Sequence, residues 1–256
     1  MIGLVREWLL RRKTDKIKVT PQEWAQVEKR LPFLNRLAAK DHLRLRQLAL
    51  QFLAEKQMSG ARGLLLRPDM QLSIALQACL PVLELGLEWY RGWIGIVVYP
   101  GDFVIPRQEM DELGVVHEFD DAVLGEAWPG GPVLLSWFEH SEDIAGINVV
   151  IHEFAHKLDM RNGWADGMPP LHEGMSTQVW SKVFGSAFED FRRRVENSER
   201  DDVATVLDPY AAEAPAEFFA VMSEAFFETP SLLMSEYPEV FEQLQRFYRQ
   251  DPLRMN

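Results

Sequence analysis

The sequence predicts an α+β fold, mostly helical, in which a small sheet leads into one chemically loaded helix. Three observations predict it. Residues 21–90 are punctuated as helices, residues 94–137 hold short β-branched runs bounded by Pro and Gly, and residues 149–159 read Val-Val-Ile-His-Glu-Phe-Ala-His-Lys-Leu-Asp. With 256 residues, 47% of them hydrophobic, the chain can bury a sizeable core.

Thr20-Pro21 opens a helix with Glu23 in its first turn and Trp24, Val27 and Leu31 on one face, and Pro32 breaks it. Leu34, Leu37, Leu43, Leu45, Leu48, Leu50, Phe52 and Leu53 predict further helix, interrupted near Asn35 and Asp41. Ser59-Gly60 reads as a turn, and residues 72–87 as an apolar helix bent at Pro81. Ile94-Gly95-Ile96-Val97-Val98-Tyr99, closed by Pro100-Gly101, reads as a strand. Phe103-Val104-Ile105 is extended, with residues 115–119 pairing nearby. Val133-Leu134-Leu135-Ser136-Trp137 follows a Pro-Gly-Gly-Pro turn as a strand, and whether it is an edge or an interior strand is open. The next helix is expected to begin near Asp143 and to end at Arg161-Asn162-Gly163, where Gly supplies a left-handed exit. Residues 164–179 read as a loop, 179–195 as an amphipathic helix and 196–202 as a solvated charged run. Pro215 opens a helix closed by Thr229-Pro230. Pro238 opens the last one, with Phe241, Leu244, Phe247 and Tyr248 buried.

A net charge of −12 argues against direct binding to nucleic acid or an anionic membrane. The basic clusters Arg11-Arg12-Lys13 and Arg192-Arg193-Arg194 are short solvated faces. The single Cys79 excludes an intramolecular disulfide and fits a reducing compartment. Residues 1–10 make no secretory signal, being interrupted by Arg6 and Glu7, and no apolar run reaches membrane-spanning length. A cytoplasmic protein is expected.

On a helix, His152 and His156 lie one turn apart on one face and can hold one Zn²⁺, with Glu153 on the same open side as a base for water held by the ion. The helix is otherwise largely apolar (Val149, Val150, Ile151, Phe154, Ala155, Leu158), so these polar groups are buried and need partners. Lys157 is unusual, because the position after the second His in such motifs is ordinarily uncharged. A third His six residues on is excluded, since the extended motif's positions hold Asp159 and Asn162. The best candidate for a third ligand is Glu217, set among Phe218, Phe219, Val221 and Met222, where a carboxylate requires a cation. Glu213 and Glu224 remain competitors, the first as a cap and the second as an outer partner or an exposed group. Asp159 reads either as an acceptor for a ligand imidazole or as a helix-terminal carboxylate. His140 and His172, and with less support His42 and His117, read as ordinary polar residues.

The run His152-Glu153-Phe154-Ala155-His156-Lys157-Leu158-Asp159, followed by Tyr210 and Glu217-Phe218-Phe219-Ala220, resembles the Mlc titration factor A family and, more distantly, the catalytic domain of anthrax lethal factor. Residues 80–89 and the terminal Phe247-Tyr248-Arg249-Gln250-Asp251-Pro252-Leu253 also look like that family, so the likeness covers nearly the whole chain. The resemblance implies a single zincin-like domain over 1–256, with 1–90 as helical support and 91–256 as the catalytic core. It implies a zinc-dependent peptidase of aminopeptidase type with one Zn²⁺ on His152, His156 and Glu217, Glu153 as general base and Tyr210 as a donor to the oxyanion. On the residues alone, Tyr210 is equally a buried tyrosine bonded to backbone. Family members in enteric bacteria bind the glucose-responsive repressor Mlc, so a Mlc-like repressor joins a peptide substrate as an expected partner. The alternative is a non-catalytic protein that titrates a transcription factor, with zinc as a structural ion. An aminopeptidase must also hold a free amine, and among Glu213 and the acidic loop residues the sequence selects none.

Overall fold

The computed structural model describes residues 8, 10–110, 116–138, 147–201 and 204–254. Helix α1 (Pro21–Glu28) starts as expected, in a reciprocal cap: Thr20 Oγ1 accepts the Glu23 N–H at 3.2 Å and Glu23 Oε2 accepts the Thr20 N–H at 2.7 Å. A 3₁₀ turn (Pro32–Arg36) and helix α2 (Ala39–Glu55) follow, broken at Leu37 and Ala38 rather than at Asp41, which sits in the first turn of α2. Strand β1 (Gln57–Gly60) occupies the predicted turn at Ser59-Gly60, because its partner lies 38 residues on, Gln57 pairing with Gly95. Helix α3 (Pro68–Cys79) ends just before Pro81, so the proline terminates it instead of bending it.

Strand β2 (Gly95–Pro100) runs parallel to β1. Strands β3 (Phe103–Met110) and β4 (Val116–Val123) form a separate antiparallel pair in register from Phe103↔Val123 to Met110↔Val116. The chain then makes β5 (Gly125–Ala127), turns, and returns as β6 (Val133–Trp137). The sheet order is β1-β2-β6-β5, with β6 parallel to β2 and antiparallel to β5. The strand Val133–Trp137 is therefore interior, and among the described residues the edge strands are β1 and, beside β6, the three-residue β5.

Helix α4 (Val149–Asp159) carries the His-Glu-x-x-His pattern and begins six residues later than expected; Asp143 lies outside the described residues. Every residue of α4 is buried. Its apolar face inserts Phe154 among Phe52, Tyr90 and Trp93, at ring separations of 5.6, 5.1 and 5.7 Å. Full burial of one such ring stabilises by about 1.5–3 kcal/mol. Helix α5 (Thr177–Asp201) continues through the charged run to Asp201, as its Arg, Glu and Ser content allows; Asp202 lies outside the described residues. Helices α6 (Pro215–Glu228), α7 (Pro230–Glu236) and α8 (Pro238–Tyr248) complete the chain, each opening on proline. One hydrophobic cluster runs from Trp24 to Tyr248, and α4 lies within it, between the sheet on one side and α6 on the other.

Candidate metal centre

Asn148 sets the start of α4. Its Oδ1 accepts the Ile151 N–H at 2.9 Å, and the helical spacing then carries His152 and His156 to one face, their Nε2 atoms 3.1 Å apart. Helix α6 crosses that face. Its first-turn Glu217 puts Oε2 2.9 Å from His152 Nε2 and 3.2 Å from His156 Nε2. Glu224, seven residues on and so on the same stripe of α6, places Oε1 2.6 Å from His152 Nδ1. Its other oxygen accepts the Asn148 backbone N–H at 2.6 Å, and Asn148 Nδ2 donates to Gln77 Oε1 at 2.9 Å and Glu228 Oε1 at 2.7 Å. One asparagine thus caps the helix and holds the carboxylate that orients its first histidine.

The donor set fits a small divalent ion. A carboxylate can only accept, so the Nδ1–H of His152 is committed to Glu224, and the Nε2 lone pair turns toward Glu217 and His156. Burial disfavours charge on His152, but Glu217 and Glu224 outweigh it and raise its pKa well above the ordinary value. Burial likewise works against the Glu217 carboxylate, and the two imidazoles reverse this, holding it well below the usual range. Three electron-rich atoms separated by 2.9, 3.1 and 3.2 Å converge on a point that calls for a cation. A tetrahedral ion with bonds of about 2.0–2.1 Å spaces its ligand atoms by about 3.3 Å, close to these separations.

Residues 5–249 match the family model described as glucose-regulated metallo-peptidase M90. The chain belongs to this family. Mlc titration factor A of Yersinia pestis (strain Pestoides F) and Mlc titration factor A of Yersinia pseudotuberculosis (serotype O:1b, strain IP 31758) are each 39% identical to it over 226 residues, covering 87% of this chain and 83% of the relative.

In this M90 chain the three atoms face a cleft of about 610 Å³, walled by β5, the start of α4, Asp208, Tyr210 and Glu213. Glu153 lines it and is only 4% exposed, with Oε2 lacking a hydrogen-bond partner among the described residues. Burial pushes its carboxyl up to about 8, and a divalent ion on the neighbouring histidines would draw it back down. Gly125 of β5 lies directly over it, since a Cβ there would stand 2.5 Å from Glu153 Oε1. Tyr210 sits on a 3₁₀ turn capped by Asp208, whose Oδ1 accepts its N–H at 3.0 Å. Its ring centroid is 6.0 Å from that of His152 and the residue is 42% exposed, so it is a cleft tyrosine rather than a buried one.

The competitors separate by position. Glu213 is exposed at the cleft mouth, outside the converging group, and Glu224 serves His152 from behind. Asp159 turns to a loop instead of an imidazole: its Oδ2 accepts the N–H groups of Asp166 at 2.9 Å and Gly167 at 2.7 Å. Gly167, at φ +81°, is so close to Pro215 that a Cβ would stand 2.5 Å from the Pro215 oxygen, which ties this loop to the first turn of α6. His172 and His42 bond to the backbone oxygens of Phe247 and Leu34. His140 and the side chain of His117 lie outside the described residues.

Sequence reasoning missed Asn148 and Gly125. The first carried a readable signal, an Asn directly before an apolar helical run. The second carried none, because a three-residue strand shows no alternation. Glu224→Gln keeps the shape of the residue but offers His152 a neutral acceptor. It is expected to weaken the affinity of the site for a divalent ion by about 10–100-fold in competition with a chromophoric chelator. An unchanged affinity would show that His152 is oriented by something else.

Proposed function

We propose that this chain is a zinc-dependent peptidase of aminopeptidase type, with one Zn²⁺ held by His152, His156 and Glu217. The observation that carries this reading is the convergence of those three side chains in an open cleft beside the buried Glu153, whose Oε2 has no hydrogen-bond partner among the described residues. When bound, the ion supplies a Lewis acid that polarises the scissile carbonyl and acidifies water. Glu153 takes the proton from the attacking water and passes it to the leaving amine. The Tyr210 hydroxyl donates to the oxygen on which negative charge develops.

The edge of β5 binds the substrate backbone. Leu124 O accepts the Ser136 N–H at 2.7 Å, and the Trp128 N–H reaches Pro132 O at 3.2 Å. By the two-residue alternation of a strand, the N–H and C=O groups of Gly125 and Ala127 point away from β6, where an extended peptide can pair with them. Val133–Trp137, enclosed between β2 and β5, has no free edge to offer a peptide. A single domain in the cytoplasm completes the reading. It accords with the one hydrophobic cluster and the buried, unpaired Cys79, and no helix among the described residues is long and apolar enough to cross a membrane.

The name of the relatives, Mlc titration factor A, favours a second reading in which the chain also binds a Mlc-like repressor, and in its strict form does so without catalysis. A panel of aminoacyl chromogenic substrates separates the two. The peptidase reading predicts hydrolysis that a chelator stops and added zinc restores. A zinc-loaded protein that cleaves no member of the panel, yet binds the repressor, leaves the regulatory reading in its place.

A further inference from the structure

The position that broke the usual pattern, Lys157, has no part in the chemistry above. It directly follows His156 on α4 and is 3% exposed. Its ammonium donates to Trp128 O at 2.6 Å and Gly131 O at 2.8 Å, and lies 4.7 Å from the centre of the Trp93 ring. Both carbonyls belong to the turn that joins β5 to β6. A buried ammonium is retained only where its donors are satisfied, so the metal helix and this turn hold each other in place.

The strand held this way is the one whose Gly125 touches the Glu153 carboxylate and whose outer edge faces the cleft. Only three residues long, β5 has little ladder of its own to fix it. We propose that Lys157 is a positioning residue for the peptide substrate: by clamping the turn at 128–131 to the metal helix, it fixes the distance between the edge of β5 and the metal-ligating face. The inference rests on the peptidase reading for its substrate, but the clamp itself is independent of activity.

The test is Lys157→Met, which keeps the length of the side chain and removes the donors. Residue-resolved hydrogen exchange on the zinc-loaded protein is expected to show the Glu126 and Trp128 amides exchanging about a hundredfold faster, with Phe154 and Leu158 on α4 unchanged and zinc per chain unchanged. For a peptide substrate, KM is expected to rise about tenfold with kcat within about threefold, the signature of a displaced binding edge. Unchanged protection at Glu126 and Trp128 would overturn the proposal, as would loss of zinc or opening of the whole of α4, which would make Lys157 a support for the metal helix instead. Where the variant does not fold, the wild type decides. A clamp makes Glu126 and Trp128 open together with Phe154 and Leu158 at one free energy, and separate, faster exchange of the turn contradicts it. If the wild type cleaves no peptide, the peptidase reading fails, while the exchange measurements still decide the clamp.

Discussion

The peptidase reading predicts that Glu153→Gln lowers peptide turnover by about 10³-fold while the protein keeps its metal. The amide has the shape of the carboxylate and cannot accept a proton, and residue 153 is not one of the three that converge on the ion site. Metal content should therefore stay at the wild-type value. The folded state should not suffer, because the substitution replaces a buried carboxylate with an unpartnered oxygen by a neutral group. An unfolding midpoint equal to or above wild type is expected, the usual sign of a residue kept for chemistry at some expense to stability. Full activity in this variant would move the base elsewhere.

Glu217→Ala has the second large effect, on the ion itself. Removing one of the three converging atoms is expected to weaken metal binding beyond the about 10–100-fold expected for Glu224→Gln, which changes only the partner of His152. Dialysed protein should then retain almost no metal and no hydrolytic activity. Loss of the carboxylate also leaves the two imidazoles 3.1 Å apart with nothing of opposite charge between them. Glu213→Ala, at the exposed mouth of the cleft, should keep its zinc. Metal analysis of the three variants side by side checks the assignment, and retention in Glu217→Ala with depletion in Glu213→Ala would reverse it.

Much of this site was legible because its signals are local. Two histidines four apart on an apolar run fix a shared face through helical geometry alone, and a carboxylate amid phenylalanines at Glu217 announces a charge in need of a cation, though the structure leaves that side chain half-buried. The helix starts at Thr20, Pro215 and Pro238 were readable for the same reason, each being a cap or a proline at a first turn. What escaped depends on distant partners. Ser59-Gly60 looked like a turn because the strand that pairs with it begins at Gly95. The interior place of Val133–Trp137 follows from β5, a strand too short to carry a pattern. Glu224 was ambiguous because both of its bonds reach across the core, to His152 and Asn148 more than seventy residues earlier. Lys157 looked out of place because its acceptors are backbone carbonyls in another part of the chain, which side-chain composition does not reveal.

Diffraction at the zinc absorption edge, on crystals of protein purified without chelator, tests the centre most directly. One anomalous peak per chain should lie within about 2.0–2.2 Å of His152 Nε2, His156 Nε2 and a Glu217 oxygen. A zinc peak elsewhere, with the Glu217 carboxylate turned to bulk solvent and away from both imidazoles, would contradict the account.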